Sequence, residues 1–293
     1  MIYSAEKINC ASALNKLKRK IPYGWDLNIY RGCAHGCKYC YAIYSHKYLG
    51  EDDFSKVYAK INIAEKLDEE LSSADWKREI INIGGVTDSY QPAEADLKIM
   101  PQILKVLIKH KTPAIISTKS DLVLRDYELI DELSRITYVN VAATITTMDD
   151  EIRKKIEPFA SSSAARFKML KEFRKTNASV GLHTMPVIPY LTDSFSNIEN
   201  LCSEARDAGV HYMLPGVLYL RGAARKVFFD FVESCFPEKY IALKELYKTG
   251  AADKAYKEKL YSETVNPLRQ KYGISKSYLG PMKEKINQTF IDL

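Results

Sequence analysis

The chain has 293 residues, 46% of them hydrophobic and 27% charged, with a formal net charge of +6, enough for one barrel-sized domain with a sizeable core plus an appendage. No apolar run approaches membrane-spanning length, no signal-peptide pattern opens the chain, and six cysteines in this context fit a reducing cytoplasm rather than a disulfide framework. The mild basic excess is compatible with nucleic acid and equally with solvated helix faces, and it bears on partners rather than on fold.

Residues 1–25 read as an N-terminal extension carrying the basic run Lys16-Leu17-Lys18-Arg19-Lys20. From there, short β-branched runs alternate with longer amphipathic stretches, the pattern of β/α units around a parallel sheet. Strands are predicted at 26–30, 79–83, 114–118, 138–145, 179–186 and 210–217. Between them Ile103, Leu104, Leu107 and Ile108 recur at helical spacing, with Pro101 in a first turn or kink. Leu122, Leu129 and Leu133 do so less regularly, and Phe167, Leu170 and Phe173 mark a further helix. Six repeats of strand then helix predict an α/β fold, an open, partial (β/α)6 TIM-type barrel over 26–237, whose chemistry gathers at the carboxyl ends of the strands. In 238–293, Leu243, Leu246, Ala251, Ala255 and Leu260 predict a C-terminal helical extension, broken into short pieces by Asn266-Pro267 and Gly280-Pro281. This extension would close the open barrel edge or contribute to substrate binding.

Directly after the first strand, Arg31-Gly32-Cys33-Ala34-His35-Gly36-Cys37-Lys38-Tyr39-Cys40-Tyr41 spaces three cysteines as Cys-x3-Cys-x2-Cys. A structural zinc site or an electron-transfer cluster closes its coordination with four protein ligands, whereas three thiolates leave a position open for water, substrate or cofactor. A Cys3His zinc knuckle through His35 would place ligands at i, i+2, i+4 and i+7, a cramped tetrahedron, and no second cysteine pair follows at finger spacing. Cys10, Cys202 and Cys235 lie far apart and read as small hydrophobes.

With Tyr39 before its last cysteine, the motif resembles the signature of the radical S-adenosylmethionine (SAM) superfamily. The resemblance implies a [4Fe-4S] cluster on Cys33, Cys37 and Cys40, whose fourth iron is chelated by the amino and carboxylate groups of SAM, and reductive cleavage of SAM to methionine and a 5′-deoxyadenosyl radical. After the second strand, Gly84-Gly85-Val86-Thr87-Asp88-Ser89-Tyr90-Gln91-Pro92-Ala93-Glu94 stands where the superfamily's glycine-rich motif holds the SAM amino group, and its form is similar to spore photoproduct lyases and the broader DNA repair photolyase relatives. Later segments, including Ser117-Thr118-Lys119, Glu157-Pro158 and Leu220-Arg221-Gly222, support this narrower likeness by order and spacing.

Transferred residue by residue, the likeness implies that the Tyr39 backbone flanks the adenine, that Gly84, Gly85, Thr87 and Asp88 line the amino or ribose end of SAM, and that Lys119 pairs with its carboxylate as a point-charge donor. Thr144 and Thr146 are ribose candidates of one strand parity. Tyr41, just after the motif, resembles a tyrosine linked to radical relay in the photoproduct lyases and is the candidate catalytic residue, packing being its alternative. Arg166 and Arg221 suit a carboxylate, a substrate phosphate or an ordinary ion pair, and His183 reads as a satisfied interior histidine. A flavodoxin or ferredoxin is the implied electron donor.

One departure bears on substrate. Photoproduct lyases carry a cysteine near this point that returns a hydrogen atom to the product radical, and here the corresponding residue is Gly85. The expected function is therefore hydrogen abstraction from a substrate, a nucleic acid base being one candidate, without photoproduct repair itself. The alternatives are radical modification of a peptide or small molecule and a non-catalytic, metal-containing nucleic-acid-binding protein.

Overall fold

The computed structural model describes residues 5–18, 23–50 and 53–282. Its strands are β1 (Ala5–Ile8), β2 (Leu14–Lys16), β3 (Trp25–Leu27), β4 (Tyr30–Arg31), β5 (Val57–Lys60), β6 (Ile81–Ile83), β7 (Ala114–Thr118), β8 (Val139–Thr144), β9 (Ser179–Val187) and β10 (Tyr212–Val217). The larger sheet has the order β10-β9-β8-β7-β6-β3-β2, with β3 and β6 to β10 all parallel and β2 antiparallel to β3. The parallel strands β6 to β10 fall within or beside the predicted ones, and β3 takes up only the start of the first. Parallel neighbours require crossovers, and helices such as Met100–Lys109, Tyr127–Ile136 and Ser163–Phe173 supply them. The result is an α/β partial barrel.

Alternation along the strands divides the barrel into two faces. Val139, Val141 and Ala143 of β8 and Val180 and Leu182 of β9 join Ile103, Leu104, Phe167 and Leu170 of the helices in the main core. The opposite parity turns to an interior that is partly polar, where Tyr212 Oη donates to Asn140 Oδ1 at 2.9 Å and Asn140 Nδ2 to the Ser179 carbonyl at 3.3 Å. Pro101 sits in the first turn of its helix, where its missing N–H costs nothing.

The predicted strand 26–30 is two strands in two sheets. After β3 the chain turns at Asn28, whose side-chain oxygen accepts from Val86 N (2.9 Å) and whose carbonyl accepts from Lys60 Nζ (2.7 Å). β4 then pairs with β5 in a small sheet of order β1-β5-β4. The strands β1, β2 and β5 escape the sequence reading because they are short and of mixed polarity. Leu122 belongs to a separate 3-10 turn, Asp121–Asp126, ahead of the helix that holds Leu129 and Leu133, since Ser120 Oγ accepts from Leu122 N and starts the tighter turn.

The C-terminal helices are Pro237–Leu246, Lys254–Lys259 and Asn266–Lys271, with Leu260–Val265 as a π-helical turn between the last two. Ala251 is bridged to Tyr219 instead of being helical. Asn266-Pro267 does not break the helix, because the widened turn before it absorbs the N–H that Pro267 lacks. Gly280-Pro281 likewise lies within a helical turn at 279–282. Leu260, Val265, Leu268 and Ile274 enter the main core, and Met213 N donates to the Ser275 carbonyl (3.0 Å), so this segment lies along the open edge at β10. Of the basic run, Arg19 and Lys20 fall outside the described residues, and Lys16 Nζ lies 5.5 Å over the Trp25 ring. Among the described residues no helix is long and apolar enough to cross a membrane.

Candidate active site

The cysteine loop leaves β4 through Gly32, whose φ of +76° favours glycine and whose side-chain direction is closed by the Lys56 carbonyl, 2.2 Å from where a Cβ would stand. Backbone bonds then fix the loop from three sides: Cys33 N to Phe54 O (2.9 Å), Lys38 N to Ile156 O (2.9 Å) and Phe159 N to His35 O (3.2 Å). The thiols of Cys33, Cys37 and Cys40 are free, and they lie close enough that Cys40 raises the pKa of Cys33 and both raise that of Cys37. Burial is the main cause of the shift in each, and it pushes Cys33 up to about 12, with the Asp88 charge adding to it. The backbone N–H groups of His35 and Asp88 at Cys33, and of Ala42 and Ile43 at Cys40, act the other way.

This donor set fits an iron-sulfur cluster. Buried thiols give up their protons to a bound cation, and N–H donors around ligating sulfurs are the means by which a protein tunes a cluster. It does not fit zinc. Both ring nitrogens of His35 face other partners, Nε2 lying 3.1 Å from Asp88 Oδ2 and Nδ1 3.2 Å from the Phe159 carbonyl. Cys10 bonds to Asn62, Cys202 packs on Met213 in the core and Cys235 is exposed at a helix end, so the remaining thiols lie elsewhere.

The segment after β6 turns its side chains toward the protein and braces the cysteine loop. Thr87 Oγ1 donates to the Gly32 carbonyl at 2.6 Å. Gln91, fully buried, accepts from Ala34 N (2.9 Å) and donates to Gly32 O (3.2 Å) and Thr87 Oγ1 (3.1 Å). Asp88 accepts from Thr118 Oγ1 (2.8 Å), Lys119 N (2.7 Å) and Tyr90 N (2.9 Å). Burial would raise its pKa, but the His35 charge and these donors outweigh burial and hold the carboxyl below the usual range. Tyr90 reaches Asp126 (3.1 Å), and buried Glu94 accepts from Tyr30 Oη, Arg125 Nη2 (2.7 Å) and Met100 N (2.9 Å).

The bracing by Tyr90, Gln91 and Glu94 was missing from the sequence-based expectations, although their signal was present as polar side chains at fixed spacing inside a segment that must pack. A Gln91→Ala protein leaves the buried Ala34 N–H without its acceptor, at a cost of about 1–3 kcal/mol, and strips the Gly32 carbonyl and the Thr87 hydroxyl of a second partner. We expect its unfolding midpoint to fall and its iron content after anaerobic reconstitution to drop with it; a variant equal to the parent in both would remove Gln91 from the brace.

Gly84 has φ +84° and continues the ladder, its N–H bonding to Leu27 O at 3.0 Å. At Gly85 a Cβ would stand 2.8 Å from Asp26 Oδ2 and 3.1 Å from Asn82 Nδ2, so no side chain fits there without displacing that pair. Tyr41, 60% exposed, donates its hydroxyl to the Gly85 carbonyl. Lys119 stands half-buried at the end of β7, its Nζ 5.8 Å over the Tyr39 ring. Burial opposes its charge, but Cys37, Glu157 and Asp88 prevail and its pKa rises.

Beneath Tyr39 lies a buried ion pair. Tyr39 Oη donates to Glu157, Glu157 Oε2 lies 2.6 Å from Arg166 Nη2, and Arg166 also donates to the carbonyls of Thr144 (2.6 Å) and Ser161 (2.6 and 2.9 Å). Of the alternatives for Arg166 the structure thus places it in an ion pair, whereas Arg221 is exposed at the start of helix Gly222–Cys235. Thr144 ends β8 opposite His183 of β9, while Thr146 lies beyond the strand, where alternation no longer sets its direction, and its hydroxyl is sealed without a partner among the described residues. His183 Nε2 lies 3.3 Å from Tyr212 Oη, and burial, aided by Lys119, lowers its pKa to about 4, so the ring is neutral.

The sequence profile of the radical SAM superfamily matches residues 27–211, from β3 to the residue before β10. An uncharacterized protein of Mycobacterium tuberculosis is 34% identical over 276 residues, covering 92% of this chain and 81% of its own. Another from Methanocaldococcus jannaschii is 30% identical over 266 residues, 90% of this chain and 93% of that one. Among solved structures, a spore photoproduct lyase complexed with dinucleoside spore photoproduct superposes with a TM-score of 0.66 at 12% identity, covering 91% of this chain and 78% of that one, a likeness of fold. A mutant of that enzyme with bound AdoMet superposes at 0.65 with the same coverage. A profile match spanning well over half the sequence, joined to a partial barrel with three half-buried thiols at its active face, shows that the chain belongs to the radical SAM superfamily, whose members use a [4Fe-4S] cluster and SAM.

Proposed function

We infer that this radical SAM enzyme abstracts a hydrogen atom from a nucleic acid base presented outside a duplex. When bound, the cluster and SAM supply a one-electron cleavage that yields a 5′-deoxyadenosyl radical. In this reading Cys33, Cys37 and Cys40 hold the cluster, Lys119 receives the SAM carboxylate, and Gly84 and Gly85 let the backbone come close to the cofactor. Asp88 acts through the chain, fixing Lys119 N–H and His35 so that the lysine and the cysteine loop keep their spacing. Thr144 lies near the cofactor's ribose. Tyr41, on the Gly85 carbonyl, is the residue assigned to hydrogen-atom relay.

The observation that carries the substrate class is the set of exposed aromatic side chains on segments after the cysteine loop and the strand ends, Tyr41 and Tyr44 after the cysteine loop, Tyr190 after β9 and Tyr219 after β10, with exposed Phe159 bonded through its backbone to His35 of the loop. Exposed aromatic rings on a basic protein are platforms for unpaired bases. Support also comes from the fold shared with an enzyme complexed with a dinucleoside photoproduct. The crowding at Gly85 argues against a thiol donor at that position.

Binding of a single-stranded oligonucleotide to the reconstituted protein tests the reading. Neutralising three to four phosphates predicts a slope of roughly −2 to −3 in log K against log salt, together with 5′-deoxyadenosine formation that rises when the oligonucleotide is added. Salt-independent or absent binding would favour a peptide or small molecule instead.

A further inference from the structure

Lys119 reaches the active face with its backbone fixed on both sides, its N–H bonded to Asp88 Oδ2 (2.7 Å) and its carbonyl accepting from Ser161 N (3.1 Å). Among the described residues its ammonium has no carboxylate within ion-pair distance; its neighbour is the Tyr39 ring. That ring is held at its far end by Glu157, whose second oxygen is occupied by Arg166. Tyr39, Glu157 and Arg166 are 7%, 0% and 0% exposed. An ion pair so fully removed from water gives little net stability, and an apolar replacement of equal volume would often serve the fold as well. What an apolar replacement would lose is the orientation of the phenol, since a ring in an apolar slot is not fixed by its hydroxyl.

We propose that Glu157 is a positioning residue for the cofactor lysine. Through the Tyr39 hydroxyl it fixes the ring over which the ammonium lies, a cation–π support that orients without neutralising. Because Glu157 is paired with Arg166 and acts on Lys119 only at longer range, no carboxylate among the described residues contacts the Lys119 ammonium, which is held in place and available to one. The proposal rests on the reading of Lys119 as the partner of the SAM carboxylate.

The test is equilibrium dialysis of SAM and of decarboxylated SAM against the anaerobically reconstituted full chain. Lys119→Met is expected to lower the preference for SAM over its decarboxylated analogue by about tenfold, the scale of one charge-assisted contact. Glu157→Gln and Tyr39→Phe are each expected to lower it by about three- to tenfold with little change in affinity for the analogue. Tyr39→Phe keeps the ring and breaks the link, so it decides the matter if Glu157→Gln fails to take up iron. An unchanged preference in Lys119→Met removes the reading of Lys119 and the proposal with it. A lowered preference in Lys119→Met with an unchanged one in Tyr39→Phe overturns the positioning role alone, and so does an equal loss of affinity for both ligands.

Discussion

Cys33→Ala, Cys37→Ala and Cys40→Ala proteins are each expected to lose the brown colour of the reconstituted parent and to release no 5′-deoxyadenosine from SAM under dithionite. The parent should bind about four irons per chain, the content of the cubane cluster. Each of the three cysteines is half-buried, and desolvation raises the pKa of each thiol above its ordinary value. Two thiols in such a setting anchor a cluster poorly, since the loop offers no further cysteine and His35 is committed to Asp88 and Phe159.

The matching controls are Cys10→Ala, Cys202→Ala and Cys235→Ala, whose side chains lie in other parts of the fold. All three should keep their iron and their SAM cleavage. Cys202→Ala alone should lose some stability, on the order of 1 kcal/mol, because its sulfur packs against Met213 in the core. A Cys33→Ala protein that still made 5′-deoxyadenosine would sink the cluster assignment, and a colourless zinc-loaded parent that left SAM intact would return the cysteines to a structural role.

The parallel strands β6 to β9 were legible because each is a short run with enough β-branched residues to stand out between longer helical periods, whereas β3 (Trp-Asp-Leu) has none and its predicted span ran on into β4. The cysteine spacing was legible because it is local: three thiols within eight residues define a ligand set whatever the rest of the chain does. The small sheet was not, since β1 (AEKI) and β5 (VYAK) show neither clear alternation nor an apolar run, and their pairing joins residues about fifty positions apart. Side-chain direction was illegible for a similar reason. Thr87 and Asp88 read as ligand-facing polar groups in a glycine-rich turn, yet Thr87 spends its hydroxyl on Gly32 and Asp88 spends its carboxylate on His35, Thr118 and Lys119. Which way a polar side chain turns depends on partners brought in by tertiary contact, and local spacing carries no record of them.

The same limit hid the pairing of Glu157 with Arg166, nine residues apart with a non-helical stretch between them, and this pair yields the largest expected effect on stability. Arg166→Met leaves a carboxylate with no exposed surface beside Tyr39 and the more distant Lys119, and strips donors from the Thr144 and Ser161 carbonyls. Breaking a buried pair from one side costs about 3–5 kcal/mol, a large part of the roughly 5–15 kcal/mol that holds a domain folded. The denaturation midpoint of the apoprotein should fall accordingly, and adding Glu157→Leu should recover part of the loss.

The pH dependence gives the sign of the effect. In the parent, burial pushes the Glu157 pKa up but Arg166, Lys119 and the Tyr39 hydroxyl bring it below its ordinary value. Its contribution is therefore present above the unfolded-state pKa and is lost as the pH falls through the folded one. In Arg166→Met the largest opposing charge is gone and burial raises the folded pKa, so the variant is penalised most where the carboxylate must stay ionised. The stability gap between parent and variant should be widest at pH 8, begin to shrink toward pH 5 as the variant's Glu157 takes up a proton, and close further only below the ordinary carboxylate range, where the parent's own contribution is lost. A gap independent of pH would mean that the lost carbonyl contacts, and not the stranded charge of Glu157, account for the destabilisation.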